Sequence, residues 1–336
     1  MPLRLLLLGT GPFAVPAFEA IRQAGHAVVA VVTRPLPEVR SRKGPPDTPV
    51  RDWAVAAGLS WFDPPTVNSA EGVALLHGFE PELLVVCDYG EILCPEALAT
   101  ATLGGINLHG SLLPAYRGAA PVQRALLSGD RVTGVSVIHM TPKLDGGPIL
   151  ATRETEIRDS ETAGELETRL ATLGVPAVAE SVDALRHWDR ESPIGRPQDP
   201  ARVSRAPRLH KREGEIDWTR TTRQVDCHIR GMQPWPGAFT FVRTDSGKPP
   251  LRVAIKRAEP EPTGSDSDTV PGQQVGDAGQ VSGAGLSVAT ADGAIRIVSL
   301  QPAGRKEMTG AEFLRGHART AGPLRFGPAA LFDPSA

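Results

Sequence analysis

Apolar runs alternate with helix-like stretches along the first half of the chain. Short apolar segments predict five strands, at residues 3–8, 26–33, 83–87, 105–109 and 134–139, and the segment at 26–33 is rich in β-branched residues. Helical spacing of apolar positions occurs between them, at 15–24, 50–57 and 119–128. Strands that are apolar on both faces and alternate with helices are typical of a parallel sheet covered on both sides. We therefore predict an α/β domain with a Rossmann-like, mostly parallel sheet that binds its ligand at the carboxyl ends of strands.

The pattern changes in the second half. A helical stretch over 165–187 is followed by a segment rich in proline and arginine, which is typical of an interdomain linker. Short alternating runs then appear at 238–243, 251–256, 285–290 and 294–300, separated by Gly, Pro and Asp. They predict a small antiparallel β-barrel. The expected organisation is a first domain over 1–190, a linker over 191–207, a barrel over 208–325 and a tail over 326–336.

The clearest chemical signal lies in the segment INLHGSLLPAYRG, residues 106–118. In an extended chain, side chains at i and i+2 point the same way, so Asn107 and His109 would converge while Leu108 faces the core. An amide donor beside a titratable ring suits a reaction through a tetrahedral, oxygen-charged intermediate. Taken alone, an N-x-H sequence favours a sheet-edge Asn and a hydrogen-bonded structural histidine, and the surrounding sequence decides between the two interpretations.

A carboxylate follows in the segment KLDGGP, where Asp145 precedes a Gly146-Gly147-Pro148 turn. Two glycines remove side chains, so a ligand or another strand can approach the backbone closely. A turn-capping aspartate is the alternative interpretation. Together with Asn107 and His109, however, Asp145 would form a set in which the carboxylate orients or charges the histidine. All three residues fall at or just beyond predicted strand ends.

These segments resemble the folate-dependent formyltransferases over nearly the whole chain. The resemblance rests on INLHGSLLPAYRGAAPVQRALLSGDRVTGVSVIHMTPKLDGGPIL, GTGPFAVPAFEAI, EIDWTRTTRQVDCHIRGMQPWPGAF and SLQPAGRKEM, which occur in the order found in that family. Within it, the chain is most similar to the enzymes that act on charged initiator tRNA. The resemblance implies a formyltransferase domain followed by an OB-like barrel domain that binds tRNA. It implies transfer of a formyl group from 10-formyltetrahydrofolate, used as a co-substrate, to methionyl initiator tRNA, with no metal.

The resemblance also assigns expected roles to residues. Asn107 and a protonated His109 would donate hydrogen bonds to the developing oxyanion, and Asp145 would favour the charged ring and accept the proton that leaves the amine. Folate would lie against a turn and a neighbouring loop, formed by Ser111, Leu112, Leu113, Pro114, Tyr89, Gly90, Ile92 and Leu93.

A basic loop over 34–51 is the expected tRNA contact. It contains five basic residues, two acidic residues and five prolines, and it has no apolar periodicity, as in an exposed loop. A solvated surface loop is the alternative. In the resembling tRNA formyltransferases a basic loop at this place enters the acceptor arm, which makes Arg40, Arg42 and Lys43 candidates for phosphate and base contacts. This loop is poorer in glycine than is usual there.

Composition narrows the remaining choices. Three cysteines without a C-x-x-C pair indicate neither a disulfide framework nor a zinc site. The net charge is −2, so the positive charge of residues 34–51 and 196–230 is local and suits a selective, salt-sensitive nucleic-acid contact. No apolar run approaches the ~20 residues of a membrane span. We expect a cytoplasmic monomer without membrane contact.

Alternative functions remain at this stage. Residues 8–14, LGTGPFA, imitate a dinucleotide fingerprint, and Arg34 at the end of the second strand leaves NADP open. Pro12 opposes this interpretation because it removes a backbone donor that a phosphate would need. A glycinamide-ribonucleotide or amino-sugar formyltransferase would share the Asn-His-Asp set. A formyl-folate hydrolase would use water in place of the amine, and a non-catalytic RNA-binding protein would explain the barrel and the basic loop alone.

Overall fold

A computed structural model describes residues 2–36, 47–243, 249–261, 286–317 and 324–332. The described residues fall into two compact units. The first comprises those within Met1–Val122, Val132–Glu156 and Glu165–Arg208. The second comprises those within Gln123–Arg131, Ile157–Gly164 and Leu209–Ala336. Both units therefore draw on separated parts of the chain, and residues 191–207 belong to the first of them.

A seven-stranded sheet organises the first unit, in the order β3-β2-β1-β4-β5-β6-β7. The strands are β1 (Arg4–Gly9), β2 (Ala27–Val32), β3 (Trp61–Phe62), β4 (Leu83–Cys87), β5 (Gly105–His109), β6 (Val132–His139) and β7 (Ile149–Glu156). Strands β1 to β5 are parallel, and the strand order reverses between β1 and β4. This arrangement confirms the predicted Rossmann-like, mostly parallel sheet, whose ligand crevice lies outside the strand ends at such a reversal.

Helices accompany this sheet, as expected for strands buried on both faces. They are α1 (Val15–Gln23), α2 (Pro49–Ala56), α3 (Ala70–Gly78), α4 (Pro95–Leu98) and α6 (Ala163–Arg186). A short helix between β5 and β6, α5 (Pro121–Leu127), falls mostly within the second unit. All five residues of β4 are buried. Helix α6 packs closely on β5, as Gly174 of the helix shows: a Cβ atom there would lie only 2.7 Å from Cδ2 of Leu108 on the strand. Leu108 thus faces the helix layer, as predicted.

Strands β6 and β7 run antiparallel to their neighbours, which corrects the prediction that residues 134–139 form another parallel strand. A strand-helix-strand pattern normally indicates a parallel crossover. Here the intervening helix α5 has seven residues and rises by only about 10 Å. The chain therefore starts β6 beside the carboxyl end of β5, with Ser136 opposite His109. Asp145 consequently lies on the β6–β7 connection and does not follow the end of a parallel strand.

The second unit contains an antiparallel, barrel-like sheet, as predicted. Its elements are α7 (Thr222–Gly231), β8 (Phe239–Arg243), β9 (Leu251–Glu261), β10 (Leu286–Ala289), β11 (Ala294–Pro302), β12 (Met308–Thr309), α8 (Gly310–His317) and β13 (Arg325–Gly327). Its strand order is β10-β11-β9-β8-β13, with β12 paired to β11. Trp218 is buried in this unit, and its indole N–H donates to the Thr240 hydroxyl at 3.0 Å.

Candidate active site

Strand β5 places Asn107 and His109 on one face of the sheet. Leu108, which lies between them in the strand, points to the other face of the sheet and contacts α6. His109 is 6 % exposed, whereas Asn107 is half-buried. Within the described ranges, the side-chain amide of Asn107 forms no hydrogen bond with another residue. The strand therefore offers a ligand an accessible amide donor next to a well-enclosed imidazole ring.

The hydrogen bonds of His109 determine which ring nitrogen can act on a substrate. Its Nε2 lies 2.9 Å from the carbonyl oxygen of Tyr116. A carbonyl oxygen only accepts, so Nε2 carries a proton and donates it. Nδ1 lies 3.8 Å from Oδ2 of Asp145, which is an ion-pair distance but too long for a hydrogen bond. Nδ1 can therefore donate to a ligand only when the ring is protonated.

Asp145 is held in place by backbone and side-chain contacts. Its Oδ2 accepts the Gly118 backbone N–H at 2.8 Å. Gln198 Nε2 donates to the carbonyl oxygens of both Asp145 and Gly147 at 2.7 Å. Arg117 in turn donates through Nη2 to Oε1 of Gln198 at 2.7 Å. The backbone of Asp145 has a φ of 47°, a left-handed conformation that such surrounding contacts must maintain.

The turn predicted to contact folate is fixed by Ser136, which pairs with His109 on the neighbouring strand. The Ser136 hydroxyl donates to the Ser111 carbonyl at 2.8 Å and accepts the Leu113 backbone N–H at 3.0 Å. Ser111, Leu113 and Pro114 are buried, whereas Leu112 is half-buried. A ligand would therefore meet this turn through Leu112 and through backbone groups.

The neighbouring loop predicted to contact folate alternates between anchored and outward residues. Tyr89 and Leu93 are buried at 2 % exposure each. Gly90 is exposed, with a φ of 82° that favours glycine. Ile92 is 59 % exposed. This loop thus presents one apolar side chain and one bare stretch of backbone, which is the kind of surface that a flat heterocycle can cover.

Two carboxyl groups were missed in the sequence analysis, that of Asp88 directly after β4 and that of Glu167 on α6. The Asp88 carbonyl accepts the Thr10 backbone N–H at 3.0 Å, and a Cβ atom on Gly11 would lie 1.8 Å from the Asp88 carboxylate. Asp88 reaches solvent, but the protein around its carboxyl raises its pKa to about 6. Burial and the nearby charge of Asp88 raise the pKa of Glu167 to about 7. A polar residue directly after a buried strand was the signal that could have identified Asp88.

Two sets of predicted residues have different outcomes. Arg40, Arg42 and Lys43 lie outside the described residues, and the tRNA contact remains a prediction. Arg34, which had left NADP binding open, forms an ion pair with Glu91. A guanidinium already paired with a carboxylate is a poor partner for a 2′-phosphate, so the structure weakens the dinucleotide interpretation.

Comparison with known protein families decides the family. The model described as "Formyl transferase" matches residues 3–182, and the model described as "Formyl transferase, C-terminal domain" matches residues 208–318. The chain belongs to the formyltransferase family. It is 56% identical to the methionyl-tRNA formyltransferase of Rhodopirellula baltica over 334 residues, 97% of each chain. It is 38% identical to that of Methylobacterium nodulans, over 94% of this chain and 97% of the relative.

Solved structures share the fold of this formyltransferase. HypX from Aquifex aeolicus in complex with tetrahydrofolic acid superimposes with a TM-score of 0.60 at 17% identity, covering 95% of this chain and 48% of that one. The chain thus spans about half the length of HypX. Methionyl-tRNA formyltransferase from Clostridium thermocellum gives a TM-score of 0.53 at 17% identity, covering 77% of this chain and 94% of that one.

The described ranges contain neither a membrane-spanning helix nor a cluster of metal ligands. No helix there combines the length and the apolar character needed to cross a lipid bilayer. Among the same residues, no group of three or more His, Cys, Asp or Glu side chains is arranged to hold a metal ion.

Proposed function

We propose that this formyltransferase transfers the formyl group of 10-formyltetrahydrofolate to the α-amine of methionine on initiator tRNA. The observation that carries the proposal is the juxtaposition of the His109 ring and the Asp145 carboxylate, 3.8 Å apart, two residues from the accessible Asn107 amide. A folate-derived formyl donor is the one that the family uses. The relatives that match nearly the full chain are methionyl-tRNA formyltransferases, which supports the choice of acceptor.

The first step is attack of the neutral amine nitrogen on the formyl carbon. A C–N bond forms, and the carbonyl electron pair moves to the formyl oxygen. Asn107 donates to that oxyanion through its side-chain amide, and His109 donates through Nδ1–H, because its Nε2–H is already bonded to Tyr116. Each donor stabilises the transition state by about 3–4 kcal/mol, as in other oxyanion holes.

The second step is collapse of the tetrahedral intermediate. The attacking nitrogen, now an ammonium, loses a proton to Asp145 directly or through water. The bond from the formyl carbon to N10 of the folate breaks, and N10 takes a proton from His109. Transfer of the proton from Asp145 to the neighbouring ring restores the starting state, so charges and protons balance without a metal.

Binding is assigned to three further surfaces. In this proposal the folate lies between the Ser111, Leu112, Leu113 and Pro114 turn and the loop that contains Tyr89, Gly90, Ile92 and Leu93. Arg40, Arg42 and Lys43 contact the acceptor arm of the tRNA. The barrel domain, proposed to span 208–325, supplies additional tRNA contacts. The enzyme is proposed to act as a monomer in the cytoplasm.

Single-turnover formylation tests the proposal. The formyl donor would be mixed with charged initiator tRNA, charged elongator methionine tRNA or free methionine. We expect fast transfer to the initiator tRNA alone. Release of formate without transfer to any amine would favour a hydrolase, and transfer to free methionine would contradict recognition of the tRNA.

A further inference from the structure

Glu91 is a charged residue within the loop proposed to bind folate, yet it points into the protein. Its side chain is 15% exposed. The carboxylate accepts hydrogen bonds from the Arg34 guanidinium and from the Thr66 hydroxyl, and from Nδ2 of Asn68 at 3.0 Å. These donors come from segments that follow β2 and β3, whereas Glu91 follows β4. One carboxylate thus joins the connections after three parallel strands.

Asn68 extends this network to the backbone of the loop. Its Nδ2 also donates to the Ile92 carbonyl at 2.8 Å, and its Oδ1 accepts the Cys94 backbone N–H at 2.7 Å. At the other end, the Thr10 hydroxyl donates to the Tyr89 carbonyl at 3.2 Å. No strand in the described part of the chain pairs with this loop, so these side chains supply the hydrogen bonds that a sheet would otherwise provide.

We infer that Glu91 is a positioning residue for the formyl donor, an inference that rests on the proposed binding of folate at this loop. Glu91 and Asn68 hold the backbone of residues 89–94 so that Gly90 and Ile92 face outward in one conformation. A ligand that binds a preorganised loop loses less conformational entropy on binding. The Asn107, His109 and Asp145 set is held by other residues, so the role of Glu91 concerns binding and not the chemical step.

Glutamine cannot replace Glu91 without loss. A glutamine side chain presents one acceptor and one donor group. The Arg34 guanidinium and the Asn68 amide nitrogen both approach the Glu91 carboxylate as donors, and neither can accept. Glu91→Gln would therefore place an N–H₂ group against Arg34 or against Asn68. The Thr66 hydroxyl can rotate to accept, so the loss falls on one of the other two contacts. We expect the loop to become less ordered while the rest of the sheet is retained.

The test compares Glu91→Gln with Glu213→Gln as a matched control. Glu213 forms an ion pair with Arg124 at 2.7 Å, with similarly part-buried side chains, within the second unit. Tetrahydrofolate binding would be measured by calorimetry, together with kcat, the KM for the donor and the Tm. Loss of these charge-assisted contacts should weaken folate binding about tenfold in Glu91→Gln. We expect a kcat close to the parent value in that variant, and unchanged folate binding in Glu213→Gln.

Equal folate affinity in Glu91→Gln and the parent would overturn the inference, as would a fall in kcat without a change in KM. If Glu91→Gln does not fold, Asn68→Ala provides the same test from the other side of the network. Hydrogen exchange of residues 88–94 without ligand separates this inference from the proposed function. Faster exchange in Glu91→Gln, with no folate binding by the parent protein, would show that Glu91 orders the loop but that folate is not its ligand.

Discussion

The residues assigned to chemistry and those assigned to folate binding are supported in different ways. Asn107 and His109 lie on β5, which is paired with β4 on one side and β6 on the other. Among the described residues, no strand pairs with the loop after β4, which depends on side chains, chiefly those of Glu91 and Asn68. Reacting groups need exact placement, and a paired strand provides it. A binding loop needs one preferred conformation that can still adjust, and a network of side chains is sufficient for that.

Removal of the groups on β5 should have the largest effect. Asn107→Ala or His109→Ala should lower kcat by about 10²–10³, because each removes one oxyanion donor. Steady-state and single-turnover kinetics would measure this, and circular dichroism would establish folding. His139→Ala is a matched control, since its Nε2 also bonds a backbone carbonyl, that of Leu103, at 2.9 Å. Near-normal turnover in Asn107→Ala and His109→Ala would remove both residues from the mechanism.

A smaller effect on kcat is expected when Gln198, which supports the loop that carries the Asp145 carboxylate, is replaced. Gln198→Ala deletes the donor to the Asp145 and Gly147 carbonyls, so the loop that carries the carboxylate can shift. Displacement of a reacting group by about 1 Å can cost up to about 100-fold, and we expect a fall in kcat of about 10- to 100-fold. The folate Kd should stay unchanged. A raised folate Kd with a normal kcat would show that Gln198 supports folate binding and not the chemical step. That result would contradict the separate support of the two groups of residues.

Substitutions in the basic loop, residues 34–51, test whether tRNA binding is separate from folate binding. Replacing Arg42 and Lys43 together with alanine should weaken tRNA binding about tenfold and reduce the slope of log K against log salt by about 2, because two phosphate contacts are lost. Filter binding at several salt concentrations would measure this. The affinity for folate should not change. A change confined to folate affinity would contradict the assignment of this loop to tRNA.

Much of the fold could be predicted from sequence, and the errors have physical causes. Strands β4 and β5 have the predicted bounds: β4 is apolar and buried throughout, and β5 is buried at every residue except Asn107. Strand β7 was missed because six of its eight residues are half-buried or exposed and three of them are charged. Helix α7 was also missed, although a capping box between Thr221 and Gln224 marks its start.

The candidate site shows the same limits. His109 and Asp145 were expected together, and the structure brings them to 3.8 Å. Their supports were not expected, since the Tyr116 carbonyl and the Gly118 amide are backbone groups that leave no sequence signal. Gln198 lies 53 positions from Asp145 in a segment predicted to be a linker. Contacts across such a distance follow from the tertiary fold and not from local pattern.

The smallest expected effect concerns Asp88, the residue that begins the loop proposed to bind folate, and its neighbour Glu167. Burial and the Asp88 charge raise the pKa of Glu167 from 4.5 to about 7. A carboxyl with a raised pKa holds its proton more firmly in the folded state than in the unfolded state. Its stabilising contribution is therefore complete below pH 4.5 and is lost as the pH rises through 7.

Glu167→Gln cannot ionise, so it should gain stability over the parent at pH 8 and little at pH 5. Because Glu167 is partly exposed, the gain should be about 1 kcal/mol, below the full value of the shift. Urea unfolding at the two pH values would measure it. Glu71→Gln is the control, since hydrogen bonds from its own backbone N–H and from Ser69 lower the pKa of that exposed carboxyl. An equal gain at both pH values would show that packing, and not charge, makes Glu167 unfavourable. Asp88→Asn should reduce the pH-dependent gain of Glu167→Gln, because it removes the neighbouring negative charge that helps to raise the pKa of Glu167.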